Sequence, residues 1–228
     1  MFKIFHKNKL SKIPRDLSRG VTLVELLVVV SIFMVISSIT IFSYGKFNSS
    51  LSTQNLADDI ALTVRRAQGY AIGVRSANNI FTVGYGIHFT MKANPSNQYD
   101  GSNRSFVLFA DIGSPTLYRN SSSCGTSPTS SEECIEILNI TSSDYISGMT
   151  YTKGGTTYSV PSDGIIDITF KRPNPEPVFC YRSSMTKSSC DESAGISNIS
   201  IKITNDKSVG MYKTIIISNN GQISVINT

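Results

Sequence analysis

Residues 20–42 read GVTLVELLVVVSIFMVISSITIF, and this stretch decides how the rest of the chain is organised. The twenty-two residues from Val21 to Phe42 contain one charged side chain, that of Glu25. A helix of this length spans about 33 Å, enough to cross the hydrocarbon core of a bilayer. The stretch therefore predicts a transmembrane helix. A carboxylate near the start of such a helix is costly and indicates a function.

Two simpler interpretations of the same stretch are considered. A secretory signal peptide has an apolar core of only about 7–15 residues followed by an A-x-A-like cleavage site, and no such site follows here. A plain signal anchor fits the length of the apolar run but leaves Glu25 without an explanation. Neither alternative accounts for both the length of the run and its single carboxylate.

The residues around this carboxylate resemble the cleavage and methylation motif of type IV prepilins and pseudopilins. In that motif a basic leader ends in glycine, the prepilin peptidase cuts after it, and glutamate is the fifth residue of the mature chain. Here Gly20 would end the leader, Val21 would become the methylated first residue, and Glu25 is the fifth. The resemblance implies that Glu25 acts in assembly. The usual first mature residue is phenylalanine, so Val21 departs from the pattern.

The net charge of +5 lies in the N-terminal leader. Residues 1–20 contain six bases and one acid, so the remainder of the chain is formally neutral. A pI of about 9.0 is therefore no argument for nucleic-acid binding by the mature chain. Positive residues flanking a membrane span stay in the cytoplasm, which predicts that the chain after Phe42 lies outside the inner membrane.

Four cysteines occur, all in the part of the chain predicted to be exported. Four cysteines allow three pairings, and the simplest joins Cys124 to Cys134 and Cys180 to Cys190. An exported location favours disulfides over free thiols. A zinc site is the alternative, but nine residues separate the members of each pair and zinc sites normally have C-x₂₋₄-C spacing. We therefore expect two disulfides and no metal.

Helical periodicity continues beyond the apolar run. Apolar residues recur at helical spacing at Leu56, Ile60, Val64, Ala67, Ala71 and Val74. This predicts one helix to about Arg75, with a transmembrane part at residues 21–44 and an amphipathic continuation at 45–76 that packs on the head.

Residues 77–228 change to a periodicity of two, with turn residues between the runs, and this predicts a β-rich head. The predicted strands are Ile80–Tyr85, Gly86–Met91, Ser105–Ala110, Ile135–Ile140, Ile165–Lys171, Val178–Arg182, Ile199–Thr204, Tyr212–Ser218 and Gln222–Ile226. The Asn219-Asn220-Gly221 turn predicts a hairpin between the last two. The fold class predicted from these patterns is α+β: a long N-terminal helix packed on a β-rich head.

The head is similar to the GspH/FimT group of pseudopilins. The similar stretches are RRAQ at 65–68, YGIHF at 85–89, FVLFAD at 106–111, III at 215–217 and GQI at 221–223. Members of that group combine a long helix with an antiparallel head in two sheets. They serve as minor subunits of type II secretion pseudopili or type IV pili.

Motifs of an enzyme are missing from the sequence. It contains no G-x-S-x-G, H-E-x-x-H, P-loop or G-x-G-x-x-G pattern. His88 is interpreted as a structural strand residue, and the segment from Asp100 to Asn103 as a turn rather than a calcium loop. We expect no catalytic residue and no cofactor.

DNA binding is the main alternative, because some relatives in this group take up DNA through a basic Gly-Arg-x-Arg-like motif. The matching stretch here, from Gly221 to Ser224, contains no arginine. The basic pairs at 65–66 and 171–172 could form a patch, although such charges usually only solvate a surface. Nucleic acid is therefore not an expected partner.

The sequence predicts a minor pilin or pseudopilin in the inner membrane, with its head outside the cytoplasm. Its expected partners are the prepilin peptidase and other pilins, which it contacts through the N-terminal helix. A DNA-uptake pilin and a membrane-anchored binding protein outside any filament remain the alternatives.

Overall fold

The computed structural model describes residues 20–73, 75–113, 116–119, 121–125, 128, 129, 132–174 and 176–227, without the side chains of residues 43, 208 and 209. The leader before Gly20 lies outside these residues. Helix α1 covers Leu23–Ile72. The strands that follow are β1 (Gly84–Thr90), β2 (Ser105–Asp111), β3 (Cys134–Asn139), β4 (Asp144–Lys153), β5 (Thr156–Ser159), β6 (Ile165–Phe170), β7 (Pro177–Arg182), β8 (Ile196–Asn205), β9 (Ser208–Ser218) and β10 (Ile223–Asn227).

The strands form two antiparallel five-stranded sheets. One has the order β3-β2-β1-β6-β7 and the other the order β10-β9-β8-β4-β5. The predicted hairpin joins β9 to β10, with Gly221 at φ 82°, the left-handed conformation that glycine adopts without strain. The α+β class with a long helix and two antiparallel sheets is confirmed.

The chain divides into two units, one ending at Tyr44 and the other beginning at Gly45. Within the second unit the predicted apolar stripe of α1 is buried: Leu56 is 8% exposed, and Ile60, Val64, Ala67 and Ala71 are at most 1% exposed. These residues share one core cluster with buried side chains of both sheets. The second part of α1 is therefore a core element of the head.

Helix α1 ends before the predicted boundary at Arg75. Its last residue is Ile72, and the Gly73 N–H still donates to the Gly69 carbonyl at 2.8 Å. Gly69 in the last turn and Gly73 just after it lower helix propensity, so the helix ends there. Val74, the last residue of the predicted stripe, lies outside the described residues.

One strand prediction is wrong, and two strands have no predicted counterpart. The predicted strand Ile80–Tyr85 does not form, because Asn78 and Asn79 have positive φ and make a turn that leaves Ile80 and Phe81 exposed. Strand β1 begins only at Gly84. Strands β4 and β5 were not predicted: β4 alternates Thr, Tyr and Ser with few aliphatic residues, and all four residues of β5 are exposed.

Asp144 joins α1 to the second sheet. Its buried carboxylate accepts hydrogen bonds from Thr53 Oγ1 (2.7 Å), Ser142 Oγ (2.6 Å), Asn205 Nδ2 (2.8 Å) and the Ser52 hydroxyl. Burial by itself would raise the pKa of Asp144, but the hydrogen bonds outweigh it and hold that pKa below its usual value. The ionised carboxylate is thus the form that the fold stabilises.

Glu133 holds the loop that follows β2. Its buried carboxylate accepts the backbone N–H of Gly113 at 3.0 Å and that of Arg119 at 2.8 Å. Burial raises the pKa of Glu133 to about 7, against the lowering effect of these two hydrogen bonds. This carboxylate therefore titrates near neutrality, unlike that of Asp144.

Candidate functional site

The predicted cleavage position is an exposed segment immediately before α1. Gly20 and Val21 are exposed, and a Cβ atom built on Gly20 would meet no atom within 4 Å. Nothing in the described fold therefore requires glycine at position 20.

The first turn of α1 is closed by a reciprocal cap between Thr22 and Glu25. Thr22 Oγ1 accepts the N–H of Glu25 at 3.2 Å, and Glu25 Oε2 accepts both the N–H and the hydroxyl of Thr22 at 3.2 Å. This is a capping box, which satisfies two backbone donors that a helix start otherwise leaves free. The acidic side chain also lies where the helix dipole favours negative charge.

The capping box is a role of Glu25 that the sequence interpretation missed. The signal is present in the sequence as Thr22-Leu23-Val24-Glu25, a threonine followed three residues later by glutamate before an apolar run. Only Oε2 of Glu25 takes part in the cap. Among the described residues Oε1 has no hydrogen-bond partner, and it remains available to a donor from another molecule.

The helix that follows this cap exposes its apolar side chains. All sixteen large hydrophobic residues between Val21 and Phe42 are at least 42% exposed. By length and composition, α1 is long and apolar enough to cross a membrane. Such an exposed apolar surface needs a cover of lipid or of other apolar helices.

Comparison with known protein families finds one match at this segment. Residues 15–41 match the prokaryotic N-terminal methylation motif. The chain is type IV prepilin-like. Comparison with curated proteins and with solved structures finds no match. The motif supports a structural subunit that assembles with other pilins and is processed by a prepilin peptidase, and the apolar helix is consistent with membrane anchoring.

His88 lies on a strand of the head, as predicted, within a buried polar network. Its Nδ1 lies 2.6 Å from Asp167 Oδ1 and its Nε2 lies 3.0 Å from the Asp100 carbonyl, while Arg182 donates to Asp167 Oδ2 at 2.8 Å. The side chains of His88, Asp167 and Arg182 are at most 2% exposed. The network joins strands β1, β6 and β7 inside the head.

Asp167 and Arg182 were not identified from the sequence. They lie 79 and 94 residues after His88, and no local spacing links residues that far apart. Sheet pairing brings them together, because His88 on β1 is directly opposite Asp167 on β6.

The cysteines form the two short-range pairs. The Cα atoms of Cys124 and Cys134 are 4.6 Å apart, and those of Cys180 and Cys190 are 5.3 Å apart, both within disulfide range. Cys134 and Cys180 are buried on strands and their partners lie in the polar loops. Among the described residues no group of three or more His, Cys, Asp or Glu side chains is arranged to hold a metal ion.

The two basic pairs considered for DNA binding are partly neutralised. Arg66 forms an ion pair with Glu136 at 2.6 Å, and Lys171 forms one with Asp111 at 2.9 Å. Gly221 and Gln222 belong to the turn between β9 and β10 and bring no arginine to it. Phosphate binding needs free cationic side chains, so these stretches offer weak support for a nucleic-acid interface.

Proposed function

We propose that this chain is a minor pilin or pseudopilin of the GspH/FimT group, a structural subunit of a type II secretion pseudopilus or a type IV pilus. It is made as a precursor with a cytoplasmic leader, cut after Gly20 and methylated on Val21. Its apolar helix anchors it in the inner membrane with the head outside the cytoplasm. Assembly then proceeds through the helix.

The observation that carries this proposal is the position of the Thr22–Glu25 cap. It begins two residues after a glycine that the described fold does not need, and it starts an apolar helical segment whose large hydrophobic side chains, up to Phe42, are all exposed. A residue without a structural requirement in its own chain is free to be selected by an enzyme that acts on it. Glycine at position 20 suits a peptidase that needs a small residue at the bond it cuts.

Cleavage would supply the charge that Glu25 needs. The new amine on Val21 precedes Glu25 by four residues, about one helical turn. An unpaired carboxylate in hydrocarbon costs about 2.5–3.5 kcal/mol on insertion scales, so a neighbouring subunit that brings its own N-terminal amine to Glu25 recovers part of that cost. The free Oε1 of Glu25 is the atom that would accept the amine. Such a pairing favours one register between adjacent helices.

The experiment that tests the proposal is intact-mass measurement of the full chain extracted from membranes. We expect loss of residues 1–20 and one additional methyl group on Val21. Gly20→Arg should retain the leader, because a large side chain then occupies the scissile position. Gly20→Ala is the matched control and should still be cut, since a Cβ there meets no atom within 4 Å. A wild-type chain that keeps Met1, or that is cut beyond Phe42, would refute the proposal.

A further inference from the structure

A groove runs along one side of the head between α1 and the end of β3. Two recesses of about 360 Å³ and about 180 Å³ form it, and they share Leu56, Asp59, Asn139 and Ile140 as lining residues. On α1 the lining extends from Ser52 to Arg66, about 21 Å at the helical rise. We refer to these two adjoining recesses as the α1–β3 groove.

The groove lies beside an open sheet edge. Strand β3 is the outer strand of its sheet and pairs with β2. The Ile140 N–H donates to the Arg104 carbonyl at 2.8 Å. In an antiparallel ladder the backbone groups of every second residue face the partner strand, so those of Leu138 also face β2. The N–H and C=O groups of Ile137 and Asn139 therefore point away from β2. Within the described part of the chain these outward groups have no hydrogen-bond partner.

The beginning of the same edge is already covered. The Cys134 carbonyl accepts the Gly125 N–H at 3.1 Å, and the Cys134 N–H donates to Ser121 Oγ at 3.1 Å. The open part is therefore short and lies next to the groove. An extended chain added there would exchange up to four backbone hydrogen bonds with Ile137 and Asn139, which is how peptides add to open sheet edges.

The side chains of the groove further define its occupant. Leu62 is 58% exposed on the α1 side and faces a recess that Phe106, Leu138 and Ile140 also line. Asp59 lines both recesses, and its carboxylate has no hydrogen-bond or ion-pair partner among the described residues. The other charged α1 residue that lines the groove, Arg66, is paired with Glu136 at 2.6 Å. The groove thus presents apolar surface and one unbalanced negative charge.

We propose that the α1–β3 groove binds an extended segment of a neighbouring subunit of the filament as an added strand on β3. The segment pairs with Ile137 and Asn139, places apolar side chains against Leu62 and Leu138, and places a lysine or arginine beside Asp59. This proposal rests on the proposed function, because it is assembly that brings another subunit's head to this surface.

The test uses the full-length protein in cells, with the photo-crosslinking residue benzoylphenylalanine at position 62. We expect adducts with another pilin-type subunit, on a peptide of its head that contains a lysine or arginine. Ile137→Pro removes one outward N–H without breaking a bond to β2, and Asp59→Lys reverses the groove's charge. Each should lower the adduct yield at least fivefold.

Matched controls separate the groove from general damage. Val225→Pro removes an outward N–H on β10, the edge of the other sheet, and Asp58→Lys changes the neighbouring exposed acid of α1. Both should leave the adduct yield at position 62 unchanged. If Ile137→Pro and Asp59→Lys also leave the adduct yield unchanged, the strand-addition proposal is wrong. Asp59→Lys changes only an exposed side chain, so misfolding would not explain a lowered yield in that variant.

A second crosslinker position distinguishes this proposal from the proposed function. Benzoylphenylalanine at Val29 reports packing of the apolar helix against other pilin helices. Adducts at position 29 without pilin adducts at position 62 overturn the groove proposal and leave the filament assignment in place. Absence of pilin adducts at both positions overturns both. Adducts at position 62 with a second copy of this chain only would also overturn the proposal of a different neighbouring subunit.

Discussion

Thr22 and Glu25 hold each other at the first turn of α1 through three hydrogen bonds of 3.2 Å. The carboxylate at the fifth position of the expected mature chain is therefore already engaged within its own subunit. Its role in starting the helix and its proposed role in attracting a neighbouring amine use the same side chain. A test of assembly has to separate the cap from the charge.

Glu25→Gln makes this separation. A glutamine side chain still accepts the Thr22 N–H in a capping box but carries no charge. We expect Glu25→Gln to be inserted and cleaved, yet to enter filaments or minor-subunit complexes poorly, like Glu25→Ala. Crosslinking to other pilins at a matched expression level measures incorporation.

Thr22→Ala is the complementary variant, since it keeps the charge and removes the hydroxyl of the cap. Loss of such a cap costs about 1 kcal/mol of helix stability. We expect this variant to be incorporated at close to the wild-type level. Wild-type incorporation of Glu25→Gln, or a defect in Thr22→Ala as large as that in Glu25→Ala, would assign the function of Glu25 to the cap.

Each cysteine pair should stabilise the head independently. Both pairs have a sequence separation of 10, for which loop-closure entropy gives about 3 kcal/mol per disulfide. We expect Cys124→Ala with Cys134→Ala, and separately Cys180→Ala with Cys190→Ala, to lower the free energy of unfolding by about this amount. Denaturant unfolding followed by tyrosine fluorescence suits a chain with ten tyrosines and no tryptophan. Peptide mapping that showed crossed pairs would contradict the assignment.

The sequence predicts well those elements whose apolar residues have a clear period. The stripe from Leu56 to Ala71 is the buried side of α1, and the regular strands β2, β3 and β6 lie within one residue of their predicted bounds. Strand β5 lacks such a signal because all its residues are exposed. Strand β4 belongs to the sheet through its pairing with β8 rather than through an aliphatic pattern.

The candidate site divides along the same line. Gly20 and Glu25 could be picked out from the sequence because they belong to one short motif next to the apolar run. The contact between His88 and Asp167 arises from strand pairing across 79 residues. The hydrogen bonds from Ser52 and Thr53 to Asp144 span about ninety residues and depend on where α1 packs. Polar contacts of this kind follow from tertiary packing, which a single sequence does not display.

Asp144 should make the head sensitive to acid. Its pKa is lowered by hydrogen bonds in the folded state, so its contribution to stability is present above the unfolded pKa and is lost as the pH falls through the folded pKa. Asp144→Ala leaves buried donors without an acceptor, and we expect a loss of about 3 kcal/mol at neutral pH. Denaturant titrations at pH 7 and below pH 4 measure both effects.

Ser142→Ala is the milder control for Asp144, because it removes one donor and leaves the carboxylate with Thr53 and Asn205. It should cost clearly less than Asp144→Ala. Equal stability of wild type and Asp144→Ala at pH 7 would show that this carboxylate does not hold α1 on the sheet.

Glu133 should produce the opposite pH dependence in a different range. Burial raises the pKa of Glu133 to about 7 in the folded state, whereas the pKa of a glutamate in the unfolded chain is near its ordinary value of 4.5. Between pH 4.5 and 7 the folded state therefore binds more protons than the unfolded state. The contribution of Glu133 to the free energy of unfolding is complete below the unfolded pKa and falls as the pH rises towards 7. The fall is at most about 1.4 kcal/mol per pH unit. Glu133→Gln does not titrate and keeps one acceptor oxygen, so it can accept only one of the Gly113 and Arg119 N–H groups. We expect it to be less stable than the wild type, but its free energy of unfolding should change less between pH 4.5 and 7. Glu132→Gln is the matched control, since the side chain of Glu132 is bound to the hydroxyls of Ser122 and Ser123 and its pKa is lowered. The free energy of unfolding of Glu132→Gln should change with pH between 4.5 and 7 as it does in the wild type. Parallel profiles for wild type and Glu133→Gln would mean that Glu133 is already ionised in the folded head and holds the loop as a carboxylate at all these pH values.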